Sequence, residues 1–588
     1  MYGATVRNQT TEFRIWAPNA KSVRLQIRGR GSFPMQPDGG GIFSTEVSAS
    51  LGDRYFYQPD DHKPLPDPVS RLLPEGVHGP TEIVNPNAFP WTDRNWHGLP
   101  FREYIIYELH VGTFSPSGTF EGARERLAYL KDLGITALEL MPVAAFPGER
   151  NWGYDGVSLY AVQASYGGPD GLKRLVDAAH GTGLAVILDV VYNHLGSEGN
   201  YLGCFGPYFT SKHKTPWGDA INYDDADCTE VRKYVIENAL YWVREYHIDG
   251  LRLDAIQTVR DGSARHIVGE IQRAVQNFAQ SCGRTICVVA ESDENDAKLV
   301  RPQINGGYGL QGFWSDDFHH SVHAVLTGEK AGYYQDFGKP EQIVRALNDG
   351  YVFQGDYFKF WTKPRGTSAK DVPLSANIIC IQNHDQVGNR AKGERLGHLV
   401  PRGALKAAAA LMLLAPHTPM LFMGEEYGEA SPFQFFTDYG DPALQKAVAE
   451  GRRNEFEEFS WDDVPDPQDP ATFARSKLHW QLATEDSDLL QWYRALLRIR
   501  QQYVVDYERT ARAELINGLF KLSVPATEPK LLVHVSLPGS ERQQLEPPAL
   551  LRSENDGYVV SISFPGASQP ELENRSMLES VRELDFPA

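Results

Sequence analysis

An alternation of short apolar runs with amphipathic segments, from about residue 104 to residue 428, constrains the fold of this chain more than any other feature. Segments such as GLKRLVDAAHGTG have the apolar spacing of helices and separate most of the runs. The runs are apolar at nearly every position, as parallel strands are when both faces of their sheet are covered. Eight such units predict an α/β fold, a (β/α)8 TIM barrel with inserted loops. The predicted strands lie in YIIYELHVG, ITALELMPV, LAVILDVVYNH, GLRLDA, TICVVAES, GFWSDDFHH, ANIICIQNHD and TPMLFMGEEYG.

The two ends of the chain carry a different pattern, in which apolar and polar residues alternate. TEFRIWAPNAKSVRLQI near the start predicts two strands joined by a Pro-Asn turn. GLFKLSV, KLLVHVSL and YVVSISF near the end predict three more. We therefore expect an immunoglobulin-like N-terminal β-sandwich over 1–95, a catalytic barrel over 96–503 and a C-terminal β-sandwich over 504–588. We expect the first sandwich to brace the barrel rather than to bind a ligand of its own.

Composition excludes several classes of partner. The net charge is −19 and the pI is about 5.4, which disfavours nucleic acid and anionic membranes and favours a neutral substrate. The start of the chain lacks the pattern of a signal peptide, and Lys406 and Pro416 interrupt the most apolar stretch. Five cysteines, an odd number without a CxxC pair, predict reduced thiols. We therefore expect a cytoplasmic protein that does not insert into membranes.

Charged residues stand where the predicted barrel strands end, which is where barrel enzymes carry their catalytic groups. Arg252 and Asp254 lie two apart and share one face of strand four. Glu291 ends strand five, and Asp385 follows strand seven. Each residue alone has an ordinary structural explanation, such as a helix cap or an ion pair. Together, three carboxylates that follow three strands of one barrel predict a single site.

Two carboxyl groups on neighbouring strands suit the cleavage of a glycosidic bond. A retaining glycosidase needs a nucleophile and an acid about 5–5.5 Å apart, and neighbouring strands are about 4.8 Å apart. Asp254 and Glu291 fit that spacing. We expect Arg252 to keep Asp254 ionised, and partial burial to raise the pKa of Glu291 toward an acid role.

Metal and nucleotide chemistry find no support in the motifs. The cluster DDFHH after strand six does not have a zinc spacing. The chain has no GxxxxGK[ST], no GxSxG, and no GxGxxG after a strand. We therefore predict neither a metal nor another cofactor.

The same strand ends resemble the four motifs of the α-amylase family of glycoside hydrolases, in DVVYNH, GLRLDA, AE and NHD. An N-terminal sandwich before the barrel also resembles the plan of glycogen-active members. The resemblance implies that Asp254 is the nucleophile, Glu291 the general acid/base and Asp385 the residue that stabilises the transition state. It further implies that the −1 sugar is held by Tyr154, His194, Arg252 and His384. Asn193 matches a calcium-binding position of some members, but no further ligand set accompanies it, so we expect no essential metal.

Within that family the chain resembles the members that release trehalose from maltooligosyltrehalose, through FPGERNWGYDGV, TPWGDAINYD, WSDDFHH and QNHDQVGNR. The resemblance implies maltooligosyltrehalose as substrate and, as functional partner, the synthase that makes the terminal trehalose. Branching enzymes are similar in layout, but they are expected to have Ser and Glu where this chain has Asn383 and Gln386. We expect loops after strands four and six to read the trehalosyl unit through Gln257, Asp316, Asp317, His319 and His320.

Two other functions stay open at this point. A branching enzyme or another α-glucan transglycosylase would use the same three carboxylates with a sugar acceptor instead of water. A non-catalytic glucan-binding or scaffold protein is disfavoured, because such proteins normally lose one carboxylate and here all three are present.

Overall fold

The N-terminal region forms two antiparallel sheets in the computed structural model, which describes residues 2–7, 10–455, 464–504, 511–540, 549 and 551–565. The sheets have the strand orders β1-β2-β6-β5 and β4-β3-β7-β8. Phe13 and Leu25 face the core between them. The strands are β1 Gly3–Val6, β2 Thr11–Trp16, β3 Val23–Ile27, β4 Gly31–Pro34, β5 Gln36–Pro37, β6 Ile42–Val47, β7 Arg54–Pro59 and β8 Thr81–Glu82.

A closed parallel barrel follows, in the order β9-β10-β13-β16-β17-β18-β21-β22 and back to β9. Each of its strands lies within one of the eight predicted runs, so the predicted barrel is confirmed. Three hairpins or ribbons, β11-β12, β14-β15 and β19-β20, project from its loops. The strands of this region are β9 Ile106–Leu109, β10 Ala137–Leu140, β11 Ala144–Ala145, β12 Ser158–Val162, β13 Ala185–Val190, β14 Phe209–Thr215, β15 Gly218–Ile221, β16 Gly250–Leu253, β17 Cys287–Glu291, β18 Gly312–Trp314, β19 Asp356–Phe358, β20 Lys363–Arg365, β21 Asn377–Ile379 and β22 Thr418–Phe422.

Helices surround the barrel and bury their apolar faces against it. The predicted helical segment GLKRLVDAAHGTG is confirmed, because all but its last residue lies in a helix over Gly168–Thr182. The α-helices are α1 Val111–Phe114, α2 Phe120–Arg124, α3 Leu127–Leu133, α4 Gly168–Thr182, α5 Leu202–Phe205, α6 Cys228–Glu245, α7 Ile267–Cys282, α8 Asp316–Thr327, α9 Pro340–Asp349, α10 His384–Gly388, α11 Leu396–Leu399, α12 Arg402–Leu413, α13 Pro442–Glu455, α14 Pro470–Arg475 and α15 Asp488–Tyr503. In the described part of the chain, no helix is both long and apolar enough to span a bilayer.

One expectation about α8 is wrong. We expected WSDDFHH to end strand six and continue as a loop, but Asp316 begins a twelve-residue helix directly after Ser315. Two acidic residues in its first turn suit the positive end of the helix dipole. On a helix, residues four apart such as Asp316 and His320 lie on one face, whereas the adjacent Asp317 is turned about 100° away from Asp316, so the three side chains do not all share one direction.

The described C-terminal residues form one antiparallel sheet in the order β23-β24-β25-β27-β26. Helix α12 packs across it, and the side chain of Asp556 accepts a hydrogen bond from the amide of Gly403 (3.0 Å). The domain limits 1–95, 96–503 and 504–588 stay a prediction. The sheet strands are β23 Arg512–Ile516, β24 Leu519–Val524, β25 Leu531–Ser536, β26 Leu551–Asn555 and β27 Tyr558–Ser563.

The segment that joins the sandwich to the barrel is fastened beneath the barrel. His180, at the end of α4, bonds with one ring nitrogen to Asp93 (2.8 Å) and with the other to Asp249 (2.8 Å). Trp96 donates its indole N–H to Asp249 (2.8 Å), and its ring stacks on that of His180. Although burial opposes the charged ring, the two carboxylates raise the pKa of His180. We call this group of four residues the linker clamp.

Register places the functional side chains at the top of the barrel. Asp189 on β13 pairs with Arg252 on β16, and Glu291 on β17 pairs with Trp314 on β18. Every second residue of these strands points into the barrel. Arg252 therefore lies between strands that each end in a carboxylate.

Candidate active site

Arg252 joins the two predicted catalytic carboxylates. Its Nη1 donates to Oδ1 of Asp254 (2.8 Å), and its Nη2 donates to Oε2 of Glu291 (2.8 Å). The guanidinium is completely buried and packs 4.2 Å from the centre of the Trp314 ring. A planar guanidinium holds two carboxyl groups in a fixed mutual position, which a flexible ammonium would not do. Asp254 and Glu291 are therefore fixed on adjacent strands at one end of the barrel.

The turn after strand four also contributes to Glu291. Ala255 has a left-handed backbone conformation (φ 38°), which is uncommon for a residue with a side chain. Its amide donates a hydrogen bond to Oε2 of Glu291 (2.8 Å). Left-handed backbone at such a residue costs about 1–2 kcal/mol, and strained residues of this kind cluster at functional sites.

Asp189 and Tyr154 complete the network around the guanidinium. Asp189 accepts from Arg252 Nη1 (2.6 Å) and from the hydroxyl of Tyr154 (2.6 Å). Burial, opposed by Arg252, raises the pKa of Asp189 to about 6. The hydrogen bond that Tyr154 donates to Asp189 fixes the tyrosine ring. This ring stacks against the ring of His384 with centroids 5.1 Å apart.

Asn193 and His194, from the motif DVVYNH, lie on the other side of Asp254. Asn193 donates its amide to Oδ2 of Asp254 (3.0 Å), and its carbonyl oxygen bonds to Nδ1 of His194 (2.9 Å). Both oxygens of Asp254 thus accept hydrogen bonds, so the carboxyl group is held from two sides. The His194 ring stacks on Trp217 of the β14-β15 hairpin, with centroids 3.9 Å apart. Trp217 keeps about half of its surface exposed.

His384 and Asp385 begin helix α10 after strand seven. Glu108 on β9 accepts from the ring Nδ1 of His384 (2.5 Å) and from its backbone amide (2.9 Å). The other ring nitrogen lies 3.4 Å from Oδ1 of Asp385. Although burial favours the neutral ring, Asp385 and Glu108 raise the pKa of His384 to about 9. His384 is therefore a cation at neutral pH, and Asp385 projects from it as the outermost of the three carboxylates.

Burial dominates the electrostatics of Glu291. Arg252 opposes it, but the negative charges of Asp254 and Asp385 reinforce it, and the pKa of Glu291 is raised well above its usual range. Asp254, by contrast, receives hydrogen bonds on both oxygens from fixed donors. A carboxyl group that keeps its proton, beside a second one held in place by fixed donors, suits the acid of retaining glycoside hydrolysis.

Glu108 and Glu139 lie side by side in the barrel, and we expect replacement by Gln to have a small effect at one position and a large effect at the other. Glu139 pairs in register with Glu108, but both of its carboxyl oxygens are buried without a partner in the described chain. Burial raises the pKa of Glu139 well above its usual range, so we expect a neutral acid there. Glu139→Gln should change kcat/KM less than about twofold, because the isosteric amide is also neutral.

Glu108→Gln is the matched change, and it removes the partner of a cationic ring. We expect the pKa of His384 to fall from about 9 and kcat/KM to drop about tenfold, since a hydrogen bond to a charged group contributes about 1.5–3 kcal/mol. Kinetics and a histidine NMR titration of both variants would measure this. Equal losses in the two variants would contradict the assignment.

The residues predicted to read the trehalosyl unit divide into two groups. Asp316 helps to raise the pKa of Glu291, the charge of Asp385 helps to raise the pKa of Asp316 itself, and Asp316 accepts from Nε2 of Gln386 (3.3 Å). Gln257 lies on a short 3-10 helix after strand four, and its Oε1 is buried without a partner in the described chain. These two side chains have polar atoms that remain available to a ligand.

The other three candidates are engaged in packing. The carboxylate of Asp317 is fully buried and accepts from Arg365 (2.7 Å), Asn295 (2.9 Å) and two backbone amides. His319 bonds to the carbonyl of Ile381 (2.8 Å) and to the hydroxyl of Tyr334 (3.1 Å). His320 is buried among aromatic rings, and its Nδ1 has no partner in the part of the chain described here. Their contacts hold the start of α8 in place.

Sequence reasoning missed two functional positions. Glu108 is a lone acidic residue in YIIYELHVG, and its partner His384 is 276 residues away, so nothing local marks it. Trp217 lies in TPWGDAINYD, which we quoted as a motif without assigning the ring a role. Within the described residues, no cluster of three or more His, Cys, Asp or Glu side chains is arranged to hold a metal ion.

Barrel and site together define a glycoside hydrolase with the α-amylase plan. Residues 83–214 match the family model "Alpha amylase, catalytic domain". A crystal structure from Salmonella typhimurium, described as an alpha amylase, superposes with a TM-score of 0.87, is 40% identical, and covers 95% of this chain and 99% of its own. Its similarity extends over the flanking domains as well as the barrel.

Sequence relatives narrow the class. The chain is 47% identical over 524 residues to the malto-oligosyltrehalose trehalohydrolase of Saccharolobus solfataricus, which covers 89% of this chain and 90% of the relative. A 1,4-alpha-glucan branching enzyme from Streptomyces coelicolor is 30% identical over 72% of this chain and 59% of its own length. The chain belongs to the malto-oligosyltrehalose trehalohydrolase family.

Proposed function

We propose that this enzyme hydrolyses the α-1,4 bond between a terminal trehalose unit and a maltooligosaccharide, with retention of configuration, and releases free trehalose. The observation that carries the mechanism is the bridge that Arg252 makes between Asp254 and Glu291, each at 2.8 Å. It holds the proposed nucleophile and the proposed acid side by side on neighbouring strands, and a retaining mechanism needs two carboxyl groups that lie close together.

In the first step an oxygen of Asp254 forms a bond to the anomeric carbon of the −1 sugar. The glycosidic C–O bond breaks, its electron pair goes to the leaving oxygen of trehalose, and that oxygen takes the proton of Glu291. In the second step water attacks the same carbon and gives a proton to the Glu291 carboxylate. As water attacks, the ester C–O bond breaks and its electron pair returns to the Asp254 carboxylate, and the maltooligosaccharide leaves with its α configuration.

The other residues of the cleft hold the −1 sugar and its transition state. Asp385 and the cationic His384 are placed to bind ring hydroxyls, and those bonds strengthen as positive charge develops on the ring. Tyr154 offers a fixed aromatic face, and His194 continues that wall toward Trp217. Arg252 keeps the carboxylates in place and does not need to touch the sugar.

On the leaving-group side, Gln257 and Asp316 are the side chains with which we propose the enzyme reads trehalose. Asp317, His319 and His320 would act through them, by fixing the first turn of α8. When an analogue leaves buried polar groups of such a pocket unpaired, the pocket can reject that analogue by several orders of magnitude.

The cellular setting is also a proposal. The substrate must come from an enzyme that places trehalose at the end of a maltooligosaccharide, which makes the synthase a functional partner. A cytoplasmic location is supported by five free cysteines, two of them buried inside the barrel region.

A product assay tests the assignment. The enzyme is incubated separately with maltooligosyltrehalose and with a maltooligosaccharide of equal length, and the sugars are separated. We expect rapid release of trehalose from the first and little attack on the second. Longer or branched glucans would instead indicate a transglycosylase, and glucose or maltose from both substrates would indicate a broad amylase. Asp254→Asn is the control for contaminating activity.

A further inference from the structure

Two side chains from different barrel units meet beside the catalytic acid. Asp316 is the first residue of α8, after strand six, and Gln386 is the third residue of α10, after strand seven. The amide Nε2 of Gln386 donates to Oδ1 of Asp316 (3.3 Å). Gln386 is buried and Asp316 is half-buried. We call the two residues the Asp316–Gln386 pair.

Both partners are held by their own helices. The backbone amide of Gln386 donates to Oδ1 of Asn383, which caps α10 (2.9 Å). Next to Asp316, the four hydrogen bonds to Asp317 fix the first turn of α8. The pair is thus a preorganised polar element, because neither residue must lose much freedom when a ligand binds.

The surroundings of Asp316 are partly buried and charged. Burial raises its pKa to about 7, Arg365 opposes that rise, and the carboxylate of Asp385 adds to it. Asp316 in turn contributes to the raised pKa of Glu291. Gln386 directly follows Asp385 in α10, so the hydrogen bond from Gln386 places the Asp316 carboxyl group close to Asp385 at the end of the barrel.

We propose that the Asp316–Gln386 pair determines specificity for trehalose as the leaving group. The inference rests on the proposed function and adds Gln386 to the residues that read the leaving disaccharide. Gln386 occupies one oxygen of Asp316, which leaves the second carboxyl oxygen and the amide oxygen of Gln386 for sugar hydroxyls. Around neutral pH Asp316 exchanges between donor and acceptor forms, so it can pair with a hydroxyl in either direction.

Geometry explains why such a pair would distinguish the two leaving groups. In trehalose the two glucose rings are joined through both anomeric carbons, so the second ring presents its hydroxyls at positions that maltose does not reproduce. A maltosyl unit would leave the amide oxygen of Gln386 or the second carboxyl oxygen of Asp316 without a partner. An unsatisfied buried polar group costs about 1–3 kcal/mol, and more when it is charged.

The pair also joins two stretches of sequence that are far apart. Asp316 lies in WSDDFHH and Gln386 in QNHDQVGNR, 70 residues further on. Gln386 is the position at which a branching enzyme is expected to carry a glutamate. Two carboxyl groups in contact there would repel each other and could not form the same hydrogen bond. The amide at position 386 is therefore matched to the carboxyl at position 316.

The test compares Asp316→Asn and Gln386→Glu with the wild type on maltooligosyltrehalose and on a maltooligosaccharide of equal length. We expect kcat/KM for the trehalosyl substrate to fall about 10- to 100-fold in both variants, with less than about threefold change for the plain substrate. Asp170→Asn is the matched control, because Asp170 is an exposed acid in the first turn of α4. It should leave both values unchanged.

The pH dependence of selectivity separates a direct role from a structural one. In the wild type the ratio of the two kcat/KM values should change as the pH passes through about 7, where Asp316 titrates, and in Asp316→Asn it should not. Equal losses on both substrates, or no loss, would overturn the inference while the proposed function stands. A wild type without preference for the trehalosyl substrate would instead reject the proposed function.

Discussion

Glu291→Gln is expected to lower kcat on maltooligosyltrehalose by about a thousandfold, within the range of about 10²–10⁴ typical of general acid–base catalysis. The amide keeps the size of the side chain and can still receive the bond from Arg252, so the fold should be unchanged. It cannot give a proton to the leaving oxygen. Steady-state kinetics with circular dichroism as a folding check would measure the effect.

The raised pKa of Glu291 also predicts on which side of the pH profile activity is lost. Glu291 must carry its proton, and its pKa is raised, so wild-type activity should persist above the usual carboxyl range and fall as the pH rises through the raised value. Glu291→Gln should lose that alkaline limb. A maltooligosyl fluoride, whose leaving group needs no protonation, should restore the first step and accumulate a glycosyl-enzyme on Asp254. Equal loss on the fluoride would contradict the acid role.

Arg252→Met is expected to destabilise the protein by about 3–5 kcal/mol and to abolish activity, because it leaves buried carboxyl groups without their counter-ion. The guanidinium bonds to Asp189, Asp254 and Glu291 and has no exposed surface. Urea unfolding followed by tryptophan fluorescence would report the shift of the midpoint. At acid pH, where the carboxyl groups are protonated in both proteins, the difference should shrink.

Arg345→Met provides the comparison for that experiment. Arg345 pairs with Asp356 at the same 2.8 Å, but both side chains are about two-fifths exposed. Exposed ion pairs contribute about 0–1 kcal/mol. An Arg252→Met variant no less stable than Arg345→Met would mean that the barrel carboxyl groups do not depend on the guanidinium.

The barrel was predictable because its strands are marked by composition alone. A run such as LAVILDVV must be buried on both faces, and a run of that length between helices fits only a parallel strand. Helix α8 was harder, since Asp316, Asp317 and the two following histidines have the polarity of a loop. Helix α8 packs against α9, and its Asp317 accepts a hydrogen bond from Arg365 of β20; no local pattern reveals either contact.

The site was predictable to the extent that strand ends carry it. Asp254 directly follows its strand, Glu291 ends its strand and Asp385 comes six residues after Ile379, and barrel topology brings those strand ends together. The division of labour among the surrounding groups was not readable. Arg252 was expected to serve Asp254, yet it also holds Glu291, because only register on β16 and β17 places both within its reach. Glu108 and Trp217 depend on pairings across the fold.

The linker clamp has a consequence for how such enzymes exchange parts. Asp93 and Trp96 fall on either side of the limit predicted at residue 95, and both bond to groups beneath the barrel. If the N-terminal sandwich were exchanged with a boundary at residue 95, Asp93 would be replaced while Trp96 stayed. The His180 ring would then keep one carboxylate partner instead of two. The segment to be exchanged as one unit therefore extends past Trp96. A domain exchange that preserves function should place its boundary close to Phe101, where the 3-10 helix before the first barrel strand begins.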